Sequence, residues 1–211
     1  AALAGAARAI MTASPGLLLA VDPGLPDCGA ALYRNAILER AAWVRVPAPV
    51  RGPSGHVDAT VALLDAIEAT MGLEGEPDMP AVVLAEWPQI LRPERAKAKF
   101  GRFIDQQPLL ELAGVSAALL DRAASWGATC YRFTPDIWKG RVPKEQHQRN
   151  GLAMLSPDER ALLPRGPRTR RYLSDPLDAA LLGLWHLHKT RAREPKYFNR
   201  PAEFAGLVEE K

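Results

Sequence analysis

Short apolar segments that end at turn residues set the strongest limit on how this chain folds. The first, Leu17–Asp22, is a continuous apolar run that stops at Pro23-Gly24, and it is far too short to cross a membrane. An apolar run of this length followed by Pro-Gly is typical of a buried strand that leads into a turn. The first strand therefore ends at a carboxylate, Asp22.

The segments that follow favour strands first and then an alternation of helices and strands. Two further strands, Gly29–Arg34 and Ile37–Val46, are predicted to form a hairpin around Asn35. The remaining predicted elements are helix His56–Met71, with apolar residues at Val57, Val61, Leu64 and Ile67, strand Met79–Glu86, helix Leu109–Trp126, strand Gly127–Phe133, and helices Lys144–Leu155 and Asp175–Lys189. This order predicts an α/β fold of the RNase H-like class, with a mixed five-stranded sheet and helices on both faces.

Length and composition are consistent with one folded domain. A chain of 211 residues with 47% hydrophobic residues buries a full core without added cross-links. We expect a flexible leader at 1–15, the domain at 16–190 and a weakly held tail at 191–211. Two widely separated cysteines, Cys28 and Cys130, form no disulfide framework or zinc motif, which favours an intracellular protein, cytoplasmic or nucleoid-associated, that does not act at a membrane.

Basic residues are concentrated in one part of the chain. Residues 136–171 contain nine Lys or Arg and four Asp or Glu, a net charge of +5, whereas the whole chain carries +3. Such a segment favours contact with a polyanion, although a solvated surface explains it equally simply.

Four carboxylates are predicted to meet at one edge of the sheet. Asp22 and Glu86 each end an apolar strand, and parallel neighbouring strands present their carboxyl ends at the same edge. Asp175 and Asp178 lie three apart at the start of the last helix and share one helix face. Carboxylates this close repel each other unless cations lie among them, and hard oxygen ligands suit Mg²⁺ or Mn²⁺. Two such ions about 4 Å apart promote phosphodiester cleavage.

Each carboxylate also has a purely structural interpretation, and both remain open at this stage. Asp22-Pro23-Gly24 is a common exit from a strand, and Glu86 is also consistent with an ordinary surface residue. Asp175, followed by Pro176, has the residue types that begin a helix.

These same residues resemble motifs of the RuvC-like Holliday junction resolvases, over about Leu17 to Lys189. The similar segments are Leu18–Gly24 with Gly29–Leu32, Val82–Glu86, and Asp175–Ala180 leading into Trp185–His188. The resemblance implies an endonuclease that cuts four-way DNA junctions symmetrically as a homodimer, with Asp22, Glu86, Asp175 and Asp178 holding a Mg²⁺ or Mn²⁺ pair. The helix Leu109–Trp126 is a candidate dimer interface.

A basic segment extends the resemblance and also shows departures from it. Phe133–Gly140 and Pro143–Glu145 are similar to the family's segment with two functional lysines, which implies that Lys139 and Lys144 lie near the scissile phosphate, with Lys144 taking a catalytic role. Gly140-Arg141-Val142-Pro143 replaces the family's glycine-rich loop, and Gln89 replaces a frequent aromatic residue. The remaining predicted DNA contacts are Trp87, by stacking on bases, and Arg141, Arg168, Arg170 and Arg171.

Three other functions are compatible with parts of the pattern. A nuclease of the same fold that cuts flaps, D-loops or RNA–DNA hybrids shares the same carboxylates. An actin-like kinase also has Asp-Pro-Gly after a strand, but it needs a second lobe and a second phosphate motif. A non-catalytic junction-binding protein gains nothing from clustered negative charge on a surface that meets a polyanion.

Overall fold

The computed structural model describes residues 16–47, 53–74, 79–89, 107–140, 142–167 and 171–190. The predicted leader at 1–15 and tail at 191–211 lie outside these residues. The strands are β1 (Leu17–Asp22), β2 (Asp27–Arg34), β3 (Ile37–Arg45), β4 (Val82–Glu86) and β5 (Thr129–Phe133). The helices are α1 (Pro53–Met71), α2 (Gln107–Ser125), α3 (Pro135–Trp138), α4 (Lys144–Met154), α5 (Pro157–Ala161) and α6 (Ser174–Lys189).

The five strands form one mixed sheet in the order β3-β2-β1-β4-β5. The β1–β2 and β2–β3 pairs are antiparallel, whereas β1–β4 and β4–β5 are parallel. The apolar strand β1 lies at the centre, where both of its faces are covered. Its carboxyl end and that of β4 therefore meet at one edge, as the sequence predicts.

Side chains of β1 alternate between two cores. Leu17, Leu19 and Val21 pack into the core that contains residues of α1 and α2. Leu18 and Ala20 face the other core, which contains most of the buried side chains of α6. Helices thus cover both faces of the sheet, and even-numbered positions of β1 point toward α6 because side chains alternate along a strand.

The last helix is buried around most of its circumference. Leu177, Leu181 and Leu184 are at most 3% exposed, so α6 is a core element and not a surface helix. The hydroxyl of Tyr33 on β2 donates a hydrogen bond to the Ala180 carbonyl. His186 packs against Tyr131, with 5.2 Å between ring centroids.

Two helices and one helix face differ from the sequence predictions. The helices α3 and α5 fall in segments for which we predicted no element, and α5 begins with a capping box formed by Ser156 and Glu159. The predicted face of α1 was also partly wrong: Val57 and Val61 are 62% and 45% exposed, and the buried residues of this helix include Leu63. Several predicted ends shift by a few residues: β4 begins at Val82 rather than Met79, and α1 begins at Pro53 rather than His56.

Other expectations from composition concern cysteines and membranes. Cys28 and Cys130 are both free, so no disulfide connects them. Within the described ranges, none of the helices combines the length and the apolar character needed to cross a bilayer.

Candidate active site

The carboxylates of β1 and β4 lie on the sheet face that α6 covers. Asp22 follows Leu18 and Ala20 on that face, and Glu86 follows Leu84 in the same core. Ala20 pairs with Leu84 in the parallel β1–β4 ladder, so the next positions on this face are Asp22 and Glu86. Strand parity and register therefore bring the two carboxylates to the same face and the same edge.

The first turn of α6 approaches this edge because β2 has a glycine there. A side-chain carbon at Gly29 would overlap the backbone of Asp175 and Pro176. Gly29 is also the partner of Asp22 in the β1–β2 ladder. The absence of a side chain at this position lets the helix start lie directly on the sheet beside Asp22.

Asp175 lies in the first turn of this helix, as its sequence context indicates, but neither Asp175 nor Asp178 is the N-cap. The helix begins at Ser174, its N-cap is Leu173, and no side chain makes a cap hydrogen bond. The Asp178 side chain is only 1% exposed. A carboxylate buried to this degree needs partners inside the protein.

Two lysines supply the positive charge. Lys139 Nζ lies 2.9 Å from Glu86 Oε2 and 2.9 Å from Asp178 Oδ2, and Lys144 Nζ lies 3.0 Å from Asp178 Oδ2. The Lys139 side chain is 15% exposed, whereas that of Lys144 is 51% exposed. The first ammonium is thus an internal bridge, and the second remains open to solvent.

Two neutral donors, which sequence reasoning missed, complete the contacts. Trp138 Nε1 donates to Glu86 Oε2 at 3.1 Å, and Gln148 Nε2 donates to Asp178 Oδ1 at 2.8 Å. Trp138 precedes Lys139 directly, and Gln148 lies one helical turn after Lys144. That spacing is the only signal in the sequence that links either residue to the site.

The electrostatics show that four carboxylates share this region. Burial, followed by the charge of Glu86, raises the pKa of Asp22 well above its usual range, and Asp178 and Asp175 act in the same direction. Burial also raises the pKa of Glu86 and of Asp175. Burial acts to raise the pKa of Asp178 as well, but Lys139 and its other partners outweigh that effect and lower it.

The donor set fits a hard divalent cation in its chemistry. All four side chains offer carboxylate oxygens, and burial, with a smaller contribution from neighbouring carboxylates, raises the pKa of Asp22, Glu86 and Asp175. Among the residues that the structure describes, no three Asp, Glu, His or Cys side chains are already placed around one ion position. The Lys139 ammonium instead contacts Glu86 and Asp178, two of the four carboxylates that would hold a cation.

The predicted DNA-contacting residues are more dispersed. Trp87 is partly buried, and the Arg132 guanidinium lies over its ring at 4.8 Å from the centroid. Arg171 is exposed, and its carbonyl accepts a hydrogen bond from Gly166 N in the loop before α6. The other three predicted contacts, Arg141, Arg168 and Arg170, lie outside the described residues.

Comparisons with known proteins find similarity in fold and none in sequence. No protein-family model and no curated protein matches the chain. The yeast mitochondrial Holliday junction resolvase Ydc2 superposes with a TM-score of 0.54 and 13% identity, over 83% of this chain and 80% of that one. Two structures of RuvC from Thermus thermophilus, one of them in complex with a Holliday junction substrate, have TM-scores of 0.49 and 15% identity, over 83% of this chain and 94% and 95% of theirs.

The similarity to Ydc2 and the sheet order confirm the predicted fold class. The chain has an α/β, RNase H-like fold with a mixed five-stranded sheet and helices on both faces. Its structural neighbours include Holliday junction resolvases.

Proposed function

We propose that this chain is a divalent-metal-dependent endonuclease that resolves four-way DNA junctions by symmetric phosphodiester hydrolysis. The observation that carries the proposal is the convergence of buried carboxylates and two ammonium groups at the carboxyl edge of β1 and β4. A fold shared with the junction resolvase Ydc2 supports the choice of substrate.

Asp22, Glu86, Asp175 and Asp178 would hold Mg²⁺ or Mn²⁺. Such ions, when bound as a pair, lower the pKa of a water and stabilise the leaving oxygen of a phosphodiester. Burial and then the charge of Glu86 raise the pKa of Asp22, and a bound cation would favour the ionised form of this carboxylate.

The protein's own residues orient the carboxylates and the DNA backbone. Trp138 and Lys139 fix Glu86 from two directions, with both contacts made to Oε2. Lys144, half exposed at the rim of the site, would bind the scissile phosphate and stabilise its developing charge, which is why we assign it a catalytic role. Lys139 would add a second phosphate contact when its ammonium leaves the carboxylates.

A wider surface would hold the arms of a branched DNA. Trp87 would stack on bases, with Arg132 already over one face of its ring. Backbone contacts would come from four arginines: Arg141, Arg168, Arg170 and Arg171.

A four-way junction has two strands to cut, and a homodimer with one site for each strand satisfies that need. We propose α2 (Gln107–Ser125) as a contact surface, because Leu110 on this helix is 53% exposed. We propose action in the cytoplasm or at the nucleoid, where such junctions form.

The test is cleavage of a labelled synthetic four-way junction, with and without Mg²⁺ or Mn²⁺, beside linear duplex, flap and RNA–DNA hybrid substrates. We expect paired nicks at symmetric positions in the junction, dependent on the metal. Asp22→Asn should abolish them, whereas Asp136→Asn, which changes an exposed acid of α3, should leave them intact.

Each alternative function has its own outcome in this assay. Cleavage of flaps or hybrids in place of the junction would be consistent with the proposed metal site and would refute the four-way junction as the substrate. Tight junction binding without cleavage of any substrate would refute the enzyme and leave a binding protein.

A further inference from the structure

Helix α4 presents two side chains, one turn apart, to the same carboxylate. Lys144 and Gln148 are four residues apart and therefore share a helix face. Lys144 Nζ lies 3.0 Å from Asp178 Oδ2, and Gln148 Nε2 lies 2.8 Å from Asp178 Oδ1. One helix thus contacts both oxygens of Asp178.

The two oxygens of Asp178 are held in chemically different ways. Oδ2 contacts two ammonium groups, from Lys139 and Lys144. Oδ1 accepts only the neutral amide N–H of Gln148 among the contacts described. A neutral donor restricts rotation of the carboxylate without adding a positive charge that competes with a cation.

Gln148 is itself held in place by the packing of α4 against α6. The same amide nitrogen lies 3.2 Å from the hydroxyl oxygen of Ser174, the first residue of α6. One turn further along α4, a side-chain carbon at Gly151 would overlap Leu181 of α6, so the glycine permits a close approach of the two helices. The Gln148 amide on α4 therefore contacts both Ser174 and Asp178 of α6.

We infer that Gln148 is a positioning residue that fixes the Asp178 carboxylate for cation binding and thereby sets the rate of phosphodiester hydrolysis. The effect on the rate of hydrolysis rests on the proposed nuclease function. The effect on cation binding does not, because cation binding is measurable without DNA.

The experiment is a Mn²⁺ titration by calorimetry on four full-length proteins: wild type, Gln148→Leu, Gln148→Met and Gln146→Leu. The two Gln148 variants keep side-chain size and remove the amide, and the pair guards against loss of folding in one of them. Gln146→Leu is the matched control, since Gln146 is an exposed glutamine on the same helix. We expect Mn²⁺ affinity to fall by roughly 10–100-fold in both Gln148 variants and to stay at the wild-type value in Gln146→Leu.

Kinetics separate positioning from a role in DNA binding or folding. At saturating Mn²⁺ we expect a lower kcat for junction cleavage in the Gln148 variants, with unchanged KM and an unchanged melting temperature within a few degrees. Wild-type Mn²⁺ affinity in folded Gln148→Leu or Gln148→Met would overturn the inference, whether or not the wild type cuts DNA. A wild type that binds Mn²⁺ and cuts nothing would refute the proposed nuclease alone, and loss of affinity in the Gln148 variants would still support positioning.

Discussion

The Lys139 ammonium lies 2.9 Å from Asp178 Oδ2, inside a site where the surrounding carboxylates outnumber the cations. Burial alone would lower the pKa of this lysine, but the nearby Glu86 and Asp178 raise it above its usual value, so the group stays charged. Lys139 therefore acts as an internal counterion, and a divalent cation held by Glu86 and Asp178 would compete with its ammonium for the charge of these two carboxylates.

Replacement of Lys139 should show whether its ammonium and a divalent cation compete for the same carboxylates. We expect Lys139→Met to lower the free energy of unfolding by about 3 kcal/mol without divalent metal. Of the described contacts, Glu86 then keeps only that of Trp138, and Asp178 keeps those of Lys144 and Gln148. Added Mn²⁺ should stabilise the variant more than the wild type, because the Lys139 ammonium no longer competes for these carboxylates. Urea unfolding with and without Mn²⁺ measures both effects, and Lys189→Met, at an exposed lysine, is the control. Equal stabilisation of the variant and the wild type by Mn²⁺ would show that the Lys139 ammonium and the cation do not compete for Glu86 and Asp178.

Asp22 should reduce the stability of the protein at neutral pH. Burial, with Glu86 next, raises the pKa of Asp22 well above its usual range, so the folded state binds this proton more tightly than the unfolded state. The stability that the protonated group provides is complete below its unfolded pKa of about 3.9 and is lost as the pH rises through the folded pKa. Asp22→Asn should therefore stabilise the protein at pH 7 by about 1 kcal/mol, with no gain below about pH 4.

Thermal melting of Asp22→Asn and wild type over this pH range, in a chelating buffer, measures the difference. A lower melting temperature for Asp22→Asn at pH 7, or a gain that persists unchanged at acid pH, would contradict this electrostatic account.

Gly29 should be required for the start of α6 to reach the sheet. We expect Gly29→Ala to lower the free energy of unfolding by about 3 kcal/mol, because the new methyl group meets the rigid backbone of Asp175 and Pro176. Displacement of this turn should also weaken Mn²⁺ binding. Gly114→Ala is the matched control, since Gly114 is at an exposed position of α2 and no atom outside the neighbouring helix backbone lies within 4 Å of the added carbon. Alanine there should add about 0.5–1 kcal/mol. Chemical denaturation compares the two, and wild-type stability in Gly29→Ala would refute the close approach.

The main features of the fold and of the carboxylate cluster could be predicted from the sequence because they depend on local patterns. Asp22 and Glu86 each end an apolar run, and strand ends are visible in a single sequence. Asp175 and Asp178 are separated by one helical turn, which places them on one face wherever the helix packs. Counting side chains in steps of two from Leu18 would also have placed Asp22 on the α6 face.

The partners of these carboxylates could not be predicted because they depend on tertiary packing. Trp138 lies on a helix of four residues, α3, whose position is set by burial of the indole ring and not by any periodicity. Gln148 differs from the exposed Gln146 in the sequence only by its four-residue spacing from Lys144, which does not reveal the contact with Asp178. The roles of Val57 and Val61 were wrong for the same reason, since helical spacing is consistent with several faces of α1 and packing selects one.

One missed element, α5, did have a sequence signal, and its buried acid gives a test that is independent of catalysis. Glu159 is 3% exposed, and its carboxylate accepts hydrogen bonds from Leu38 N at 3.0 Å and from Ser156 N at 2.8 Å. The first contact joins α5 to β3, and the second closes the capping box.

We expect Glu159→Ala to cost about 3 kcal/mol of unfolding free energy, because it leaves two backbone N–H groups without their acceptor. Asp158→Ala, at the exposed neighbouring acid, should cost under about 1 kcal/mol. Urea unfolding measures both values, and metal affinity should match the wild type in each variant because α5 makes none of the described contacts to the carboxylate cluster. A Glu159→Ala protein as stable as Asp158→Ala would show that the capping box and the contact with β3 contribute little to the fold.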